Sequence, residues 1–420
     1  MPAPVNQREF ALEVAKKLRA AGFESLWAGG CVRDELLGIA PKDYDVATNA
    51  TPDQIRDLFG HRRTLPIGAA FGVVTVLGPR SAGQIEVATF RSDATYSDGR
   101  HPDSVTFTTA EHDAERRDFT INGLFFDPVA EKIVDYVAGQ EDLKRKVIRA
   151  IGDPRLRIGE DKLRMLRAVR FAAAFQFKID PQTLEAIQEL ADTINTVSAE
   201  RIGMELRRML LDTNRATALA LFQETTLLPH VLPEVAELTA GDFATTTGML
   251  STLTEPTLSL TLAALLTNSP LPTPNSTLAS LALPLSRRLR YTNKESDRTT
   301  WLLTNQPLIA RAAELPWPQL QRLLTHDGTT ELLALHEAIA GPAHPALAFC
   351  RERLAWPPER LNPRPLVDGS DLIHHGLRPS PEFATLLQQI RDAQLNGEIH
   401  TRDEALALVD RLRSQPETLP

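Results

Sequence analysis

Strand-forming runs are confined to the first 150 residues of this chain, and the later residues carry helical spacing. "FESLWAGG", "FGVVTVLG" and "GQIEVATF" are short apolar or alternating segments bounded by glycine, and "KIVDYV" is a weaker one. A helix over residues 7–21 precedes them and ends at Gly22. After Gly152-Asp153-Pro154 the period changes. From Ile158 to about Leu211 the pattern is helical, with apolar residues at three and four spacings as in "GEDKLRMLRAVRFAAAF". The remainder reads as helices broken by Pro- and Gly-rich loops, with a Thr/Ser/Leu-rich stretch over 239–286. A small α/β head followed by an all-helical body is the only layering these patterns allow.

The 420 residues exceed one ordinary core, which argues for several domains. No apolar run approaches the ~18 residues a membrane span needs. The first residues read as an amphipathic helix and not as a signal peptide. Two cysteines, Cys31 and Cys350, supply neither a disulfide framework nor a cysteine zinc site, so a cytoplasmic setting is expected. The net charge is −8, yet between Lys144 and Lys178 eleven Lys/Arg stand against three Asp/Glu. Charge acts locally, within a screening length of ~8–10 Å, so an acidic protein can still offer this basic segment to a polyanion.

The stretch "GGCVRDELLGIAPKDYDV" is the densest in chemistry. Alternate side chains of a strand share a face, so Asp43 and Asp45 would project together while Tyr44 and Val46 turn to the core. Two adjacent carboxylates repel unless a cation joins them, and hard oxygen donors at this spacing suit Mg²⁺. A pair of solvent-facing acids at a strand end is the plain alternative. Gly29 and Gly30 form a turn where backbone can approach a phosphate closely, and Arg33 follows where a helix would begin. A glycine-lined triphosphate site facing a metal-binding acid pair describes nucleotidyl transfer. Glu86, on another expected strand, could supply a third carboxylate or be an exposed strand acid.

"GGCVRDELLG" with "KDYDVATNATP", then "RRDFTINGL", "GEDKLRMLRAVRFAAAF" and "SAERIGMEL" follow one another in the order and spacing of the class II tRNA nucleotidyltransferase/poly(A) polymerase family, which the first 210 residues resemble. The resemblance implies an α+β nucleotidyltransferase head, a small mixed sheet with helices, followed by an all-α neck, body and tail. The implied segments are residues 1–150 for the head, 151–215 for a neck carrying a base-recognition helix, 216–340 for the body and 341–420 for a tail that contacts tRNA. It implies Mg²⁺-dependent, template-independent addition of C, C and A to the 3′ end of tRNA from CTP and ATP, with release of pyrophosphate. An A-adding enzyme or poly(A) polymerase of the same family is the alternative, and a non-catalytic RNA-binding protein a more distant one.

In this family pattern Asp43 and Asp45 hold the metal, and Gly29, Gly30, Arg33 and Arg117 hold phosphates. Asp118 and Asn122 belong to the sugar and phosphate contacts, and Arg167 and Arg170 add to them. Asp161 and Arg164 choose the base. Three apart on a helix, they would be neighbours on one face, and an ordinary intrahelical ion pair is the bland reading. Cytosine and adenine both present an amino donor beside a ring-nitrogen acceptor, which an aspartate beside an arginine complements. Guanine and uracil reverse that order and would leave buried groups unpaired. The segment "EVATFRSDATYSDGRHPDSVTF" resembles a mobile loop that CCA-adding members need, and no His-Asp phosphohydrolase signature occurs in the C-terminal half.

Overall fold

The computed structural model describes residues 6–93 and 105–414. The chain divides into two compact units, Met1–Thr247 with Arg288–Arg290 and Gly248–Arg287 with Tyr291–Pro420.

The first unit opens with α1 (Gln7–Ala20), where Asn6 and Glu9 form a reciprocal capping box and Phe10, Val14 and Leu18 are buried on one face. The chain then runs β1 (Ser25–Ala28), α2 (Gly30–Leu36), β2 (Asp45–Thr48), α3 (Pro52–Phe59), β3 (Thr64–Leu65), β4 (Val73–Leu77) and β5 (Gln84–Thr89). Two short strands, β6 (Arg91–Asp93) and β7 (Val105–Phe107), pair with each other, so part of the expected loop is ribbon. Residues 94–104 of that loop lie outside the described residues. Next come α4 (Ala110–Glu115), β8 (Phe125–Asp127), β9 (Lys132–Val134), α5 (Gly139–Arg145) and β10 (Val147–Ile148).

Among the described residues seven strands form one mixed sheet, in the order β3-β4-β5-β2-β1-β8-β9. Its pairs are antiparallel except β2 with β5, which run parallel and bring Asp45 level with Glu86. Val46, Val74 and Val87 are fully buried, each stabilising the fold by about 1.5–3 kcal/mol. A slip of one residue would turn Val46 outward and drive Asp45 into the core, so burial fixes which way the acids point.

Pro154 opens α6 (Pro154–Glu160), capped by Asp153. The helix expected to carry both Asp161 and Arg164 is interrupted here. Asp161 and Lys162 separate α6 from α7 (Leu163–Phe175), because Asp161 is extended (φ −143°, ψ 101°). A short strand β11 (Lys178–Ile179) pairs with β10, followed by α8 (Pro181–Leu190), α9 (Ala199–Leu210) and α10 (Arg215–Glu224). α9 and α10 both pack on α7.

The second unit is helical. Its helix Leu258–Leu266 is buried along its whole length and packs on Asn293–Ala310 and Thr329–Ala340. It lies within the Thr/Ser/Leu-rich stretch. Its Thr261 returns its hydroxyl to the carbonyl four residues back, so this buried hydroxyl is not left without a partner. Helices Glu382–Leu395 and Arg402–Ser414 close a smaller core of Leu372, Ile390, Ala405 and Val409. Among the described residues no helix is long and apolar enough to cross a membrane.

Candidate active site

A cleft of about 670 Å³ in the first unit gathers all but one of the sequence-derived site residues: Gly29, Gly30, Arg33, Asp43, Asp45, Arg117, Asp118, Asn122, Asp161, Arg164, Arg167 and Arg170 line it. Glu86 lies in an adjoining recess that it shares with Asp43 and Asp45.

The acids are aimed by the residue between them. Tyr44 is buried, edge-on to Trp27 at 4.9 Å, and its hydroxyl donates to Glu35 of α2 at 2.8 Å. With Tyr44 anchored inward, Asp43 just before β2 and Asp45 at its start emerge together on the other face. Asp45 reaches solvent through the cleft but has protein on most sides. That partial burial, with Glu86 and then Asp43 adding like charge, pushes its pKa up to about 6. Such crowded carboxylates are donors that a divalent cation would relieve, and the hard oxygens fit Mg²⁺. Among the described residues no three or more His, Cys, Asp or Glu side chains converge as a preformed metal cluster. Asp43 and Asp45 are the candidate donors for such an ion, with Glu86 beside Asp45 on β5.

Gly29 turns the chain from β1 into α2 at φ +70° and ψ −118°, a conformation that L side chains rarely adopt. A Cβ there would also lie 2.7 Å from Arg117 Nη1. Arg117 is held by Asp113 through Nη2 at 3.0 Å and by the Asn122 carbonyl. Asp113, 1% exposed, binds Arg116 as well. Burial works against its charge, but Arg117 and Arg116 prevail and hold its carboxyl below the usual range. Arg33 donates to the Asn122 side chain at 2.5 Å and to Asp34.

Asp118 accepts from the Phe119 amide, from Asn122 and from Arg167 Nε at 2.7 Å. Burial opposes its charge, yet Arg167, Asn122 and the Phe119 amide hold its pKa down to about 2. Asp118 therefore orders the cleft through Arg167 as well as lining it.

Asp161 and Arg164 share the cleft but not an ion pair. Because Asp161 sits in the break between α6 and α7, its carboxylate turns to the Leu163 amide at 3.1 Å and to Arg201 at 2.7 Å. Arg164, 8% exposed, is held instead by Glu160 and the Arg157 carbonyl, both at 2.7 Å. The expected neighbour pair on one helix face is replaced by two groups separately clamped to the cleft wall.

Comparisons with known proteins place the chain in a family. Residues 26–149 match the family model described as "Poly A polymerase head domain", and residues 176–239 match "Probable RNA and SrmB- binding site of polymerase A". The CCA-adding enzyme of Limosilactobacillus reuteri (strain DSM 20016) is 34% identical over 405 residues, 93% of either chain. The chain belongs to the tRNA nucleotidyltransferase/poly(A) polymerase family. The CCA-adding enzyme of Enterococcus faecalis is 44% identical over 239 residues, which span 57% of each chain. The crystal structure of Bacillus stearothermophilus CCA-adding enzyme in complex with CTP has 30% identity and a TM-score of 0.77, covering 96% of this chain and 97% of that one. The head with its mixed sheet and the helical remainder are thus the fold of this family, which uses a divalent metal.

Sequence reasoning missed Arg91, Phe171 and Arg208, which also face the cleft, as does Arg116 of the "RRDFTINGL" motif; the cleft holds eight arginines against four aspartates. Phe171 carries Arg33, Arg167 and Arg170 over its ring, at 5.2, 5.2 and 4.1 Å, a stacking that keeps flat guanidiniums in place. The Asp113 clamp was readable, since an acid three and four residues before an arginine pair on a helix is a pairing signal. Arg208 has the same kind of sign in Glu205, three residues before it on α9, whereas Arg91 had none.

Proposed function

We infer that the protein adds C, C and A to the 3′ end of tRNA, taking CMP and AMP from CTP and ATP and releasing pyrophosphate in a cytoplasmic setting. The observation that carries this reading is a single cleft in which an acid pair faces a surplus of arginines and the Asp161–Arg164 wall. Relatives over nearly the whole chain bear the corresponding name, and one neighbour was solved with CTP.

In this reading the terminal ribose hydroxyl attacks the α-phosphorus. The new O3′–P bond forms as the bond to the β-phosphate oxygen breaks, and pyrophosphate leaves with the pair of electrons. Asp43 and Asp45 would hold Mg²⁺. When bound, it supplies charge neutralisation and lowers the pKa of the attacking hydroxyl. Gly29 and Gly30 give the phosphates access to backbone, while Arg33, Arg117, Arg167 and Arg170 orient the triphosphate by charge-assisted bonds. Arg33 and Asp118, locked through Asn122, keep the two sides of the cleft in register. Asp161 accepts the amino hydrogen of cytosine or adenine and Arg164 donates to the ring nitrogen, so uracil and guanine leave both unpaired.

The test is incubation with tRNA lacking its 3′ end, Mg²⁺, and CTP and ATP singly or together. Addition of CCA followed by arrest is the expected result. AMP added only to tRNA ending in CC would indicate an A-adding enzyme, long adenylate tails a polymerase, and no incorporation a binding protein. Asp161→Ala should relax base choice and leave tRNA affinity nearly unchanged; an intact CTP/ATP preference would refute the base-reading role.

A further inference from the structure

We propose that Arg201, on α9, is a positioning residue that sets base choice by holding the Asp161 carboxylate. The proposal rests on the reading of Asp161 as a base-reading group. Asp161 occupies the extended break between α6 and α7, outside any helical ladder, so its direction depends on what its carboxylate binds. One oxygen accepts from the Leu163 amide, and the other from Arg201 Nη2 at 2.7 Å. An ionised carboxylate offers about four acceptor sites, so two such partners fix its plane and leave sites toward the cleft.

Arg201 is not among the residues that line the cleft, whereas Asp161 is. Its link to the base-reading wall is the bond to Asp161. The helix that carries it packs on α7, which carries Arg164. The two groups read as base-facing are thus braced from two different helices: Arg164 by Glu160 on α6, and Asp161 by Arg201 on α9.

The next turn of α9 does different work and supplies an internal contrast. Glu205, 3% exposed, binds Arg170 at 2.5 Å and Arg208 at 3.0 Å, with Arg167 Nη1 at 3.9 Å. Those three arginines line the cleft, and in the proposed reading they serve the triphosphate that all four nucleotides share. Loss of the Glu205 charge should weaken every nucleotide by a similar factor. Loss of the Arg201 contact should change the ratio between nucleotides. The sequence "SAERIGMEL" thus carries two braces one turn apart, one for base identity and one for grip.

The experiment measures kcat/KM for CTP and UTP on tRNA lacking its 3′ end, and for ATP and GTP on tRNA ending in CC. Wild type is compared with Arg201→Gln, Arg201→Lys, Glu205→Gln, Asp161→Ala and the Asp161→Ala/Arg201→Gln double variant. The CTP:UTP and ATP:GTP ratios should fall roughly tenfold in Arg201→Gln, the scale of one lost charge-assisted bond. Arg201→Lys, which keeps a cation there, should recover part of the ratio and provides the readout if the glutamine variant does not accumulate. The double variant should be no less selective than Asp161→Ala alone, since Arg201 acts through that carboxylate. Glu205→Gln should raise KM for all four with the ratios kept. If Arg201→Gln slows all nucleotides equally while Asp161→Ala relaxes choice, Arg201 is structural only and the proposal is overturned. If Asp161→Ala itself keeps its ratios, the base-reading role falls and the proposal with it.

Discussion

Replacing Gly29 with alanine separates a backbone requirement from mere flexibility at the turn after β1. The residue sits at φ +70° and ψ −118°, where a non-glycine residue costs about 1–3 kcal/mol. The added Cβ would also stand 2.7 Å from Arg117 Nη1. Arg117 cannot swing aside freely, because Asp113 grips its Nε and Nη2 and its guanidinium lies 5.0 Å from the Phe125 ring centroid. Loosening that grip adds on the order of 1 kcal/mol, for a total of roughly 3 kcal/mol. Gly30 is the matched control. Its φ is ordinary and its Cβ would meet only Arg33 Nη2 at 3.7 Å, normal van der Waals contact. There alanine at the start of α2 should change stability by under about 1 kcal/mol, in the favourable direction. Because the chain has two units, the first is best read by amide hydrogen exchange in β1, β2 and β8, where 3 kcal/mol is a loss of protection on the order of 10²-fold. Wild-type protection in Gly29→Ala, or an equal loss in Gly30→Ala, would refute the argument.

Asp45→Asn should lower nucleotide addition by on the order of 10³-fold while tRNA affinity, read by filter binding, stays within a few-fold. A variant that retains activity would remove the acid pair from the chemistry. Asp118 gives the first unit an acid-sensitive element. Its pKa is near 2 in the folded protein against 3.8 ordinarily, so its contribution of about 2 kcal/mol is present above pH ~4 and is lost as pH falls from about 4 to about 2. Urea unfolding across that interval should flatten in Asp118→Asn; an unchanged pH slope would show that the Arg167 contact does not act as a charge pair.

Local signals in the sequence were enough for the strand-turn-helix that carries Gly29, Gly30 and Arg33, and for the alternation that turns Tyr44 inward. Both rest on periods of two and on glycine, which act between neighbours in the chain. The break at Asp161 was not legible, because the apolar spacing of α6 continues in phase through α7 and hides one extended residue. Its consequence, that Asp161 turns to Arg201 and Arg164 to Glu160, depends on how α9 packs, which no local spacing encodes. Arg208 has a local partner in Glu205, three residues before it on α9, but that it faces the cleft depends on how that helix packs. Glu86 stands between these cases: its strand was readable, whereas its register beside Asp45 required the order of the sheet.

That register has a consequence for the life of the molecule. β2 and β5 lie parallel, so Asp45 meets Glu86 only once the chain has run through the α3, β3 and β4 segments and crossed back. Parallel pairing of distant strands is a late and slow event in folding. A nascent or half-unfolded chain can own the glycine turn and several arginines without owning the crowded set of acids. It would be inert toward nucleotides, and competence would arrive together with the completed sheet.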